Sequence, residues 1–203
     1  LVLQDSSASM EIRDARQDEI DKERVAAAFG SAEDAEANPD PSRRELVEAV
    51  AANQELNLFG RLSERVDLIV SPFGRNAGAL QPMVSGGGRV QASEAGDFFQ
   101  SLPSGETATA VSDSLKDALE LTAGRPLSGV FLISDGVNNA GAPLPTAMKV
   151  ARTRGLPLYV YATGVAAQRD LAVLSFSGPA TAFAREDAVL DLRLKSTGIP
   201  GGR

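Results

Sequence analysis

The sequence of 203 residues contains no cysteine and no histidine. Without thiols the chain forms neither a disulfide nor a thiolate zinc site, and without imidazole it carries neither a histidine general base nor a Ser-His-Asp triad. Any metal ion must therefore be held by oxygen ligands. The absence of cysteine leaves the compartment open, because disulfide-free domains occur on both sides of a membrane.

Long apolar runs are also absent. No stretch approaches the roughly 18 residues that span a bilayer, and the sequence has no recognisable signal peptide. We therefore expect no direct membrane contact by this part of the protein. Because Leu1 already lies in an apolar run typical of a strand, we expect the chain to be a piece of a larger protein.

Basic residues are in the minority, with 20 Lys and Arg against 27 Asp and Glu, a net charge of −7 and a pI near 4.7. This balance argues against a nucleic-acid-binding surface, which needs clustered cations, and it favours the attraction of divalent cations. An apolar fraction of 43% and a charged fraction of 23% are ordinary for a soluble globular protein.

The first ten residues combine a short apolar run with oxygen-bearing side chains at alternate positions, Asp5, Ser7 and Ser9. Such side chains on a tight strand-to-helix turn can converge on a hard cation such as Mg²⁺. The same residues are also typical helix caps. On these ten residues alone, capping is the favoured interpretation because short motifs often match by chance.

Strand and helix patterns alternate along most of the chain, which predicts a doubly wound, mostly parallel α/β sheet with helices on both faces. A capping box from Ser42 to Glu45 begins one helix, and Gly124 and Gly155 follow two others. The predicted strands after the first are residues 66–70, 129–133 and 156–162, and the predicted later helices are 112–123 and 146–154.

Two stretches interrupt this order. Residues 11–41 are an acidic insertion, read as a charged helix over 13–28 ended by Gly30 and then a mobile acidic loop over 31–41. A solvated surface insertion is the favoured interpretation, with an acidic arm that tunes access to a metal as the alternative. Residues 75–100 give a weak signal: a short edge strand over 80–84 and a glycine turn at 86–88.

The C-terminal residues follow a different pattern. Strands are predicted at 172–176 and 188–195, the second with the alternation of a half-buried antiparallel strand. We therefore predict an α/β domain over residues 1–170 and a β-rich segment over 171–203, read as the truncated start of an immunoglobulin-like module.

Polar side chains fall where ligands bind in open α/β sheets, at the carboxyl ends of strands. Asp5, Ser7 and Ser9 follow the first strand, Thr109 enters a helix, and Asp135 ends the strand at 129–133. Separately each residue has an ordinary explanation as a cap or turn. Together they supply two carboxylates and three hydroxyls, whose charge comes close to neutralising a divalent cation.

The sequence Asp5-Ser6-Ser7-Ala8-Ser9-Met10 resembles the Asp-x-Ser-x-Ser opening of von Willebrand factor type A domains, the metal-ion-dependent adhesion site. Thr109 and the later Ser134-Asp135-Gly136 resemble that family's metal-binding threonine and final Asp-Gly, so the likeness covers about residues 1–170. It implies a Mg²⁺ site, with Mn²⁺ or Ca²⁺ as alternatives, in which Ser7, Ser9 and Thr109 bind directly. Asp5 and Asp135 then bind through water, and an open position accepts a carboxylate from a partner protein.

The chain departs from the family pattern in the acidic insertion and in Gln4, which replaces a more usual apolar residue. Thr107 is a rival for Thr109, but only Thr109 gives Val111 and Leu115 the helix register of the family. Within the family, the chain looks most like bacterial membrane-anchored proteins, which implies an extracytoplasmic location, periplasmic or at the cell surface.

The leading hypothesis is a metal-dependent protein-binding module and not an enzyme, because Ser7 and Ser9 have no histidine or nearby lysine to activate them. The alternative is Mg²⁺-assisted phosphoryl transfer with Asp5 as nucleophile. Phosphatases of that kind usually carry a second aspartate two residues later, where this chain has Ser7. A third hypothesis is a structural spacer that no longer uses its metal, against which the presence of all five site residues speaks.

Overall fold

The computed structural model describes residues 1–16, 18–83, 88–165, 170–179, 181 and 189–197. The chain divides into two compact units, Leu1–Gly164 and Val165–Arg203. The strands of the first unit are β1 (Val2–Asp5), β2 (Ile69–Phe73), β3 (Gln81–Pro82), β4 (Val130–Ser134) and β5 (Leu158–Ala162). Its helices are α1 (Glu19–Phe29), α2 (Ala32–Ala37), α3 (Arg43–Ala52), α4 (Leu58–Ser63), α5 (Ala92–Ser101), α6 (Val111–Leu121) and α7 (Leu144–Thr153), and a 3₁₀ turn covers Ala8–Glu11.

The strands of this unit form one sheet in the order β3-β2-β1-β4-β5. β1 pairs in parallel with β2 and β4, β4 pairs in parallel with β5, and only the edge strand β3 is antiparallel. The prediction of a doubly wound, mostly parallel α/β sheet is confirmed. The strand order reverses between β1 and β4, which is the place where open α/β sheets bind their ligands.

Helices cover both faces of the sheet. Along β1, Val2 packs into one core cluster with Phe59 and Phe99, while Leu3 packs into a second with Leu115. The alternation follows from the two-residue period of a strand, which sends successive side chains to opposite faces. Helices α3, α4 and α5 therefore cover one face and helices α6 and α7 the other, and the central strands are buried on both sides.

Strand β2 lies further along the chain than predicted. The strand continues past the predicted end at residue 70 through Ser71, Pro72 and Phe73, whereas residues 66–68 precede it. The proline is tolerated because β3 pairs only with Ile69 and Val70 and ends before Pro72. On its open side the Pro72 carbonyl accepts a hydrogen bond from the Gly78 amide at 2.7 Å, while the Phe73 carbonyl accepts one from Ser6.

The inserted segment is more ordered than the sequence pattern indicated. Ser31 accepts a hydrogen bond from the Asp34 amide and caps α2, so the loop predicted over 31–41 is wrong. The segment is also not purely solvated: Val25 and Ala28 of α1 pack on Leu46 of α3. α1 begins only at Glu19 and ends at Gly30, whose φ of 80° suits a glycine after a helix.

Helix α5 was not predicted. Its buried positions, Ala92, Ala95 and Phe99, are mostly small and give a weak helical pattern. Gly96 lets this helix approach α3 so closely that an added Cβ would stand 2.7 Å from the Cβ of Ala52. The remaining helices and the capping box at Ser42 form as predicted, with shifts of one to three residues at their ends. Of the predicted glycine turn, residues 86 and 87 lie outside the described residues.

The second unit contains β6 (Asp170–Ser177) and β7 (Asp191–Thr197), which pair antiparallel with an irregularity between Val173 and Ser175. β6 extends the predicted strand 172–176 at both ends. β7 begins at residue 191, so residues 189 and 190 of the predicted strand 188–195 precede it, and residue 188 lies outside the described part. The immunoglobulin-like character of this unit stays a prediction. Within the described residues, no helix is both long and apolar enough to cross a membrane.

Candidate metal site

The candidate site lies at the carboxyl ends of β1 and β4. Parallel pairing aligns Gln4 with Ile133, so Asp5 and Ser134 end their strands side by side. Their side chains meet, since the Ser134 hydroxyl donates a hydrogen bond to Asp5 Oδ2 at 2.7 Å. The sheet thus brings the two stretches that sequence analysis singled out, residues 5–9 and 134–136, to one edge.

Asp5 is a buried carboxylate, only 2% exposed. Its second oxygen, Oδ1, accepts a hydrogen bond from the Ser7 amide at 2.9 Å. Burial raises the pKa of Asp5, the Ser7 and Ser134 hydrogen bonds oppose that rise, and the nearby charge of Asp135 adds to it. A cation at this place would favour the charged form of the side chain.

Ser7 and Ser9 are held together by the 3₁₀ turn that follows β1. Their hydroxyl oxygens are 2.9 Å apart. Ser7 stands at the N-cap position of this turn, but its side chain makes no capping hydrogen bond. The capping interpretation of these residues is therefore wrong for Ser7, whose side chain interacts with Asp5 and with the Ser9 hydroxyl.

Thr109 precedes α6 on a loop hydrogen-bonded to the residues after β1. The Glu106 amide donates to the Ser6 carbonyl at 3.0 Å, and the Ala8 amide donates to the Glu106 carbonyl at 2.7 Å. Thr109 is 1% exposed, whereas Thr107 is exposed. Among the described residues, the buried Thr109 Oγ1 has no hydrogen-bond partner. A buried hydroxyl of this kind is rare and needs an explanation such as an ion or a water.

Asp135 is engaged by an arginine that sequence analysis did not single out. Its Oδ2 accepts a hydrogen bond from Arg43 Nη1 at 2.6 Å, and its Oδ1 accepts one from the Val137 amide at 2.9 Å. Arg43 also donates to Asp14 from Nε and Nη2, at 2.7 and 2.8 Å. The side chains of Arg43, Asp14 and Asp135 are 5%, 3% and 1% exposed, so this ion-pair group is buried.

Two asparagines fix the loop that carries Thr109. Asn139 Oδ1 accepts a hydrogen bond from the Thr109 amide at 2.7 Å, and Asn138 Oδ1 accepts one from the Val111 amide at 2.9 Å. They sit just after Gly136, where asparagines usually indicate only a turn. Arg43 gave a weak signal too, because an arginine in the first turn of an amphipathic helix is expected to be solvated.

The residues at this edge fit a hard divalent cation. The donors are hydroxyl and carboxylate oxygens, and two buried hydroxyls near this edge, those of Ser6 and Thr109, lack a partner among the described residues. At this edge the carboxylate of Asp5 is buried beside Asp135, whose charge is paired with Arg43. No group of three or more Asp or Glu side chains that could hold an ion occurs in the described part of the chain. A metal here would therefore depend on the hydroxyls.

No protein-family model and no curated protein matches this chain. Solved structures do match. BatB from Bacteroides thetaiotaomicron is 17% identical, with 97% of this chain and 78% of that chain covered and a TM-score of 0.48. An aerotolerance-related membrane protein from Bacteroides fragilis is 16% identical, with 94% and 79% covered and a TM-score of 0.46.

Proximal thread matrix protein 1 from the mussel byssus, with a zinc-occupied MIDAS motif, is 18% identical, with a TM-score of 0.41. The match covers 78% of this chain and 36% of the mussel chain, so this chain spans about a third of that protein's length. The fold assignment rests on this chain's own strand order and pairing.

Proposed function

We propose that this chain is a divalent-metal-dependent protein-interaction module that binds a partner's Asp or Glu carboxylate through Mg²⁺. The single observation that carries the proposal is that the buried Thr109 Oγ1 has no partner among the described residues, at the sheet edge where Asp5, Ser7, Ser9 and Asp135 also lie. Leaving such a hydroxyl unpaired costs about 1–3 kcal/mol, and a metal ion would supply the missing partner.

Each residue has a role in this proposal. Ser7, Ser9 and Thr109 offer neutral oxygens as direct ligands, while Asp5 and Asp135 accept hydrogen bonds from metal-bound water. Hydroxyl ligands leave the ion more of its positive charge than carboxylate ligands would. Bound Mg²⁺ would supply a coordination position for a carboxylate oxygen of the partner protein. Mn²⁺ and Ca²⁺ have the same preference for oxygen and are alternatives.

The geometry disfavours the alternative function, phosphoryl transfer with Asp5 as nucleophile. Asp5 is 2% exposed, and both of its oxygens accept hydrogen bonds, from the Ser7 amide and the Ser134 hydroxyl. A nucleophile must be reachable by an incoming phosphorus, and the burial of Asp5 works against this. An extracytoplasmic location in a membrane-anchored bacterial protein belongs to the same proposal and rests on the sequence resemblance.

Thermal melting of metal-stripped protein with added Mg²⁺ or Mn²⁺ tests the metal part of the proposal. An ion that binds only the folded chain stabilises it by about 2.7 kcal/mol at one hundred times its Kd. The Ser7→Ala variant should lose this shift. Ser114→Ala is the matched control, because Ser114 is equally buried but its hydroxyl faces the Gly74 carbonyl. If neither ion moves the Tm of the parent protein, the proposal fails.

The partner's carboxylate needs a separate test. With Mg²⁺ present, a short peptide that contains one Asp should bind the parent chain, and the same peptide with Asn in that place should not. Binding should also disappear on addition of EDTA. Equal binding of the Asp and Asn peptides would contradict a carboxylate ligand, even if the metal itself binds.

A further inference from the structure

Arg43 joins the candidate metal site to the inserted segment. Its guanidinium contacts two carboxylates from distant parts of the chain: Asp14, near the start of the inserted segment, and Asp135, directly after β4. A third, longer contact of 3.4 Å runs from Nη1 to the Ser9 carbonyl. All three charged side chains are at most 5% exposed, so water screens their interactions very little.

The inserted segment is attached to α3 around this arginine. The Arg43 amide donates to the Ile12 carbonyl at 3.1 Å, and Arg13 pairs with Ser42 in an antiparallel bridge. The Arg16 amide donates to Asp40 Oδ1 at 3.1 Å, which joins the two ends of the segment. A shift of Arg43 therefore acts on both ends of the segment at once.

We propose that Arg43 couples the inserted segment to the metal site, so that Asp14 sets the metal affinity by sharing the Arg43 charge that also pairs with Asp135. This inference rests on the proposed function and deepens it. In the metal-free chain, Arg43 shares its charge between Asp14 and Asp135. A cation bound beside Asp135 repels Arg43, and Asp14 accepts the displaced charge. Without Asp14, Asp135 is the remaining buried carboxylate paired with Arg43 among the described residues, and Arg43 competes with the metal for it.

A double-mutant cycle with Mn²⁺ as the probe tests this coupling. Binding is measured from the electron paramagnetic resonance signal of free Mn²⁺. Asp14→Asn should weaken Mn²⁺ binding at least about five-fold, the lower end of typical coupling between sites. In the Arg43→Gln background the same change should alter binding less than about two-fold. An equal loss of Mn²⁺ affinity in both backgrounds would mean that Asp14 acts only through its long-range charge and not through Arg43. That result would overturn the inference.

The neighbouring ion pair provides a matched control. Arg44 and Glu48 lie on the same helix, 2.8 Å apart and partly buried. Among the described residues, their hydrogen bonds and ion pairs go to each other, to Glu11 and to the carbonyls of Phe99, Gln100 and Leu102, not to a site residue. Glu48→Gln removes a carboxylate from an arginine one position away from Arg43, and it should change Mn²⁺ affinity less than about two-fold. An effect of Glu48→Gln as large as that of Asp14→Asn would contradict the specific role of Arg43.

A second measurement uses the parent chain alone, since Arg43→Gln leaves two buried carboxylates without their cation and risks unfolding. Coupling is reciprocal, so Mg²⁺ should slow hydrogen exchange of the Arg16 and Arg43 amides, which hold the segment in place. If Mg²⁺ binds but leaves both exchange rates unchanged, the inference fails while the proposed function stands. If the parent chain binds neither Mg²⁺ nor Mn²⁺, both the proposed function and this inference fail.

Discussion

Replacing Thr109 by valine should stabilise the metal-free protein. Thr109 is 1% exposed, and its hydroxyl has no partner among the described residues. Valine has nearly the same shape and removes the unpaired polar atom, whose burial costs about 1–3 kcal/mol. We expect a gain of about 1 kcal/mol in the free energy of unfolding, at the low end because the site edge admits some water. The same substitution should abolish the metal-dependent rise in stability.

Thr122→Val is the matched control. Thr122 is 2% exposed, but its hydroxyl donates to the Ala118 carbonyl at 2.8 Å. Its loss should destabilise the protein by about 0.5–1.5 kcal/mol. Both residues lie outside helix interiors, so helix propensity contributes little to either change. Urea unfolding in the presence of EDTA measures both variants. The reasoning is refuted if Thr109→Val destabilises the metal-free protein as much as Thr122→Val does.

Three further predictions concern the parts of the fold that support the site. Arg43→Met should cost about 3–5 kcal/mol in urea unfolding because it removes the buried cation that Asp14 and Asp135 share. Arg89→Met, which breaks an exposed pair with Glu64, should cost about 0–1 kcal/mol, and similar losses would contradict a structural role for the buried pairing. Burial raises the pKa of Glu45, but hydrogen bonds from the Ser42 amide, Arg13 and Asn38 outweigh it and lower the pKa below its usual 4.5. The stability that Glu45 adds over Glu45→Ala should therefore be complete above pH 4.5 and disappear as the pH falls through the lowered pKa. A stability difference that grows on acidification would contradict this prediction. Gly96→Ala should lower the free energy of unfolding by about 1–3 kcal/mol despite the better helix propensity of alanine, because its Cβ would stand 2.7 Å from the Cβ of Ala52. Thermal unfolding followed by circular dichroism measures this. A higher Tm would show that α3 and α5 can move apart at little cost.

The sheet could be predicted from sequence because each central strand carries its own signal. Residues 129–133 are apolar throughout, as a strand covered on both faces must be, and the structure places them at the centre of the sheet. β2 was misplaced for an equally local reason: Pro72 normally indicates a turn, and only the short pairing of β3 allows it in a strand. Helix α5 depends on its close contact with α3, which no local pattern reveals.

Part of the candidate site could be predicted, but its charge balance could not. Asp5, Ser7 and Ser9 are close in sequence, and parallel strands bring Asp135 to the same edge. The Arg43 interaction crosses 92 residues to Asp135 and 29 to Asp14, so its partners appear only in three dimensions. The unpaired state of Thr109 Oγ1 is likewise a property of the folded chain. The sequence thus indicates the ligand types, while the structure supplies the buried cation beside them.

Anomalous diffraction from crystals grown with Mn²⁺ tests the central claim most directly. The account predicts one manganese peak per chain, within bonding distance of the hydroxyl oxygens of Ser7, Ser9 and Thr109. Asp5 and Asp135 should contact it through water and not directly. The peak should be absent from crystals of Thr109→Val grown under the same conditions. The account is contradicted if the parent chain shows no peak at this edge of the sheet, or if the peak persists unchanged in Thr109→Val.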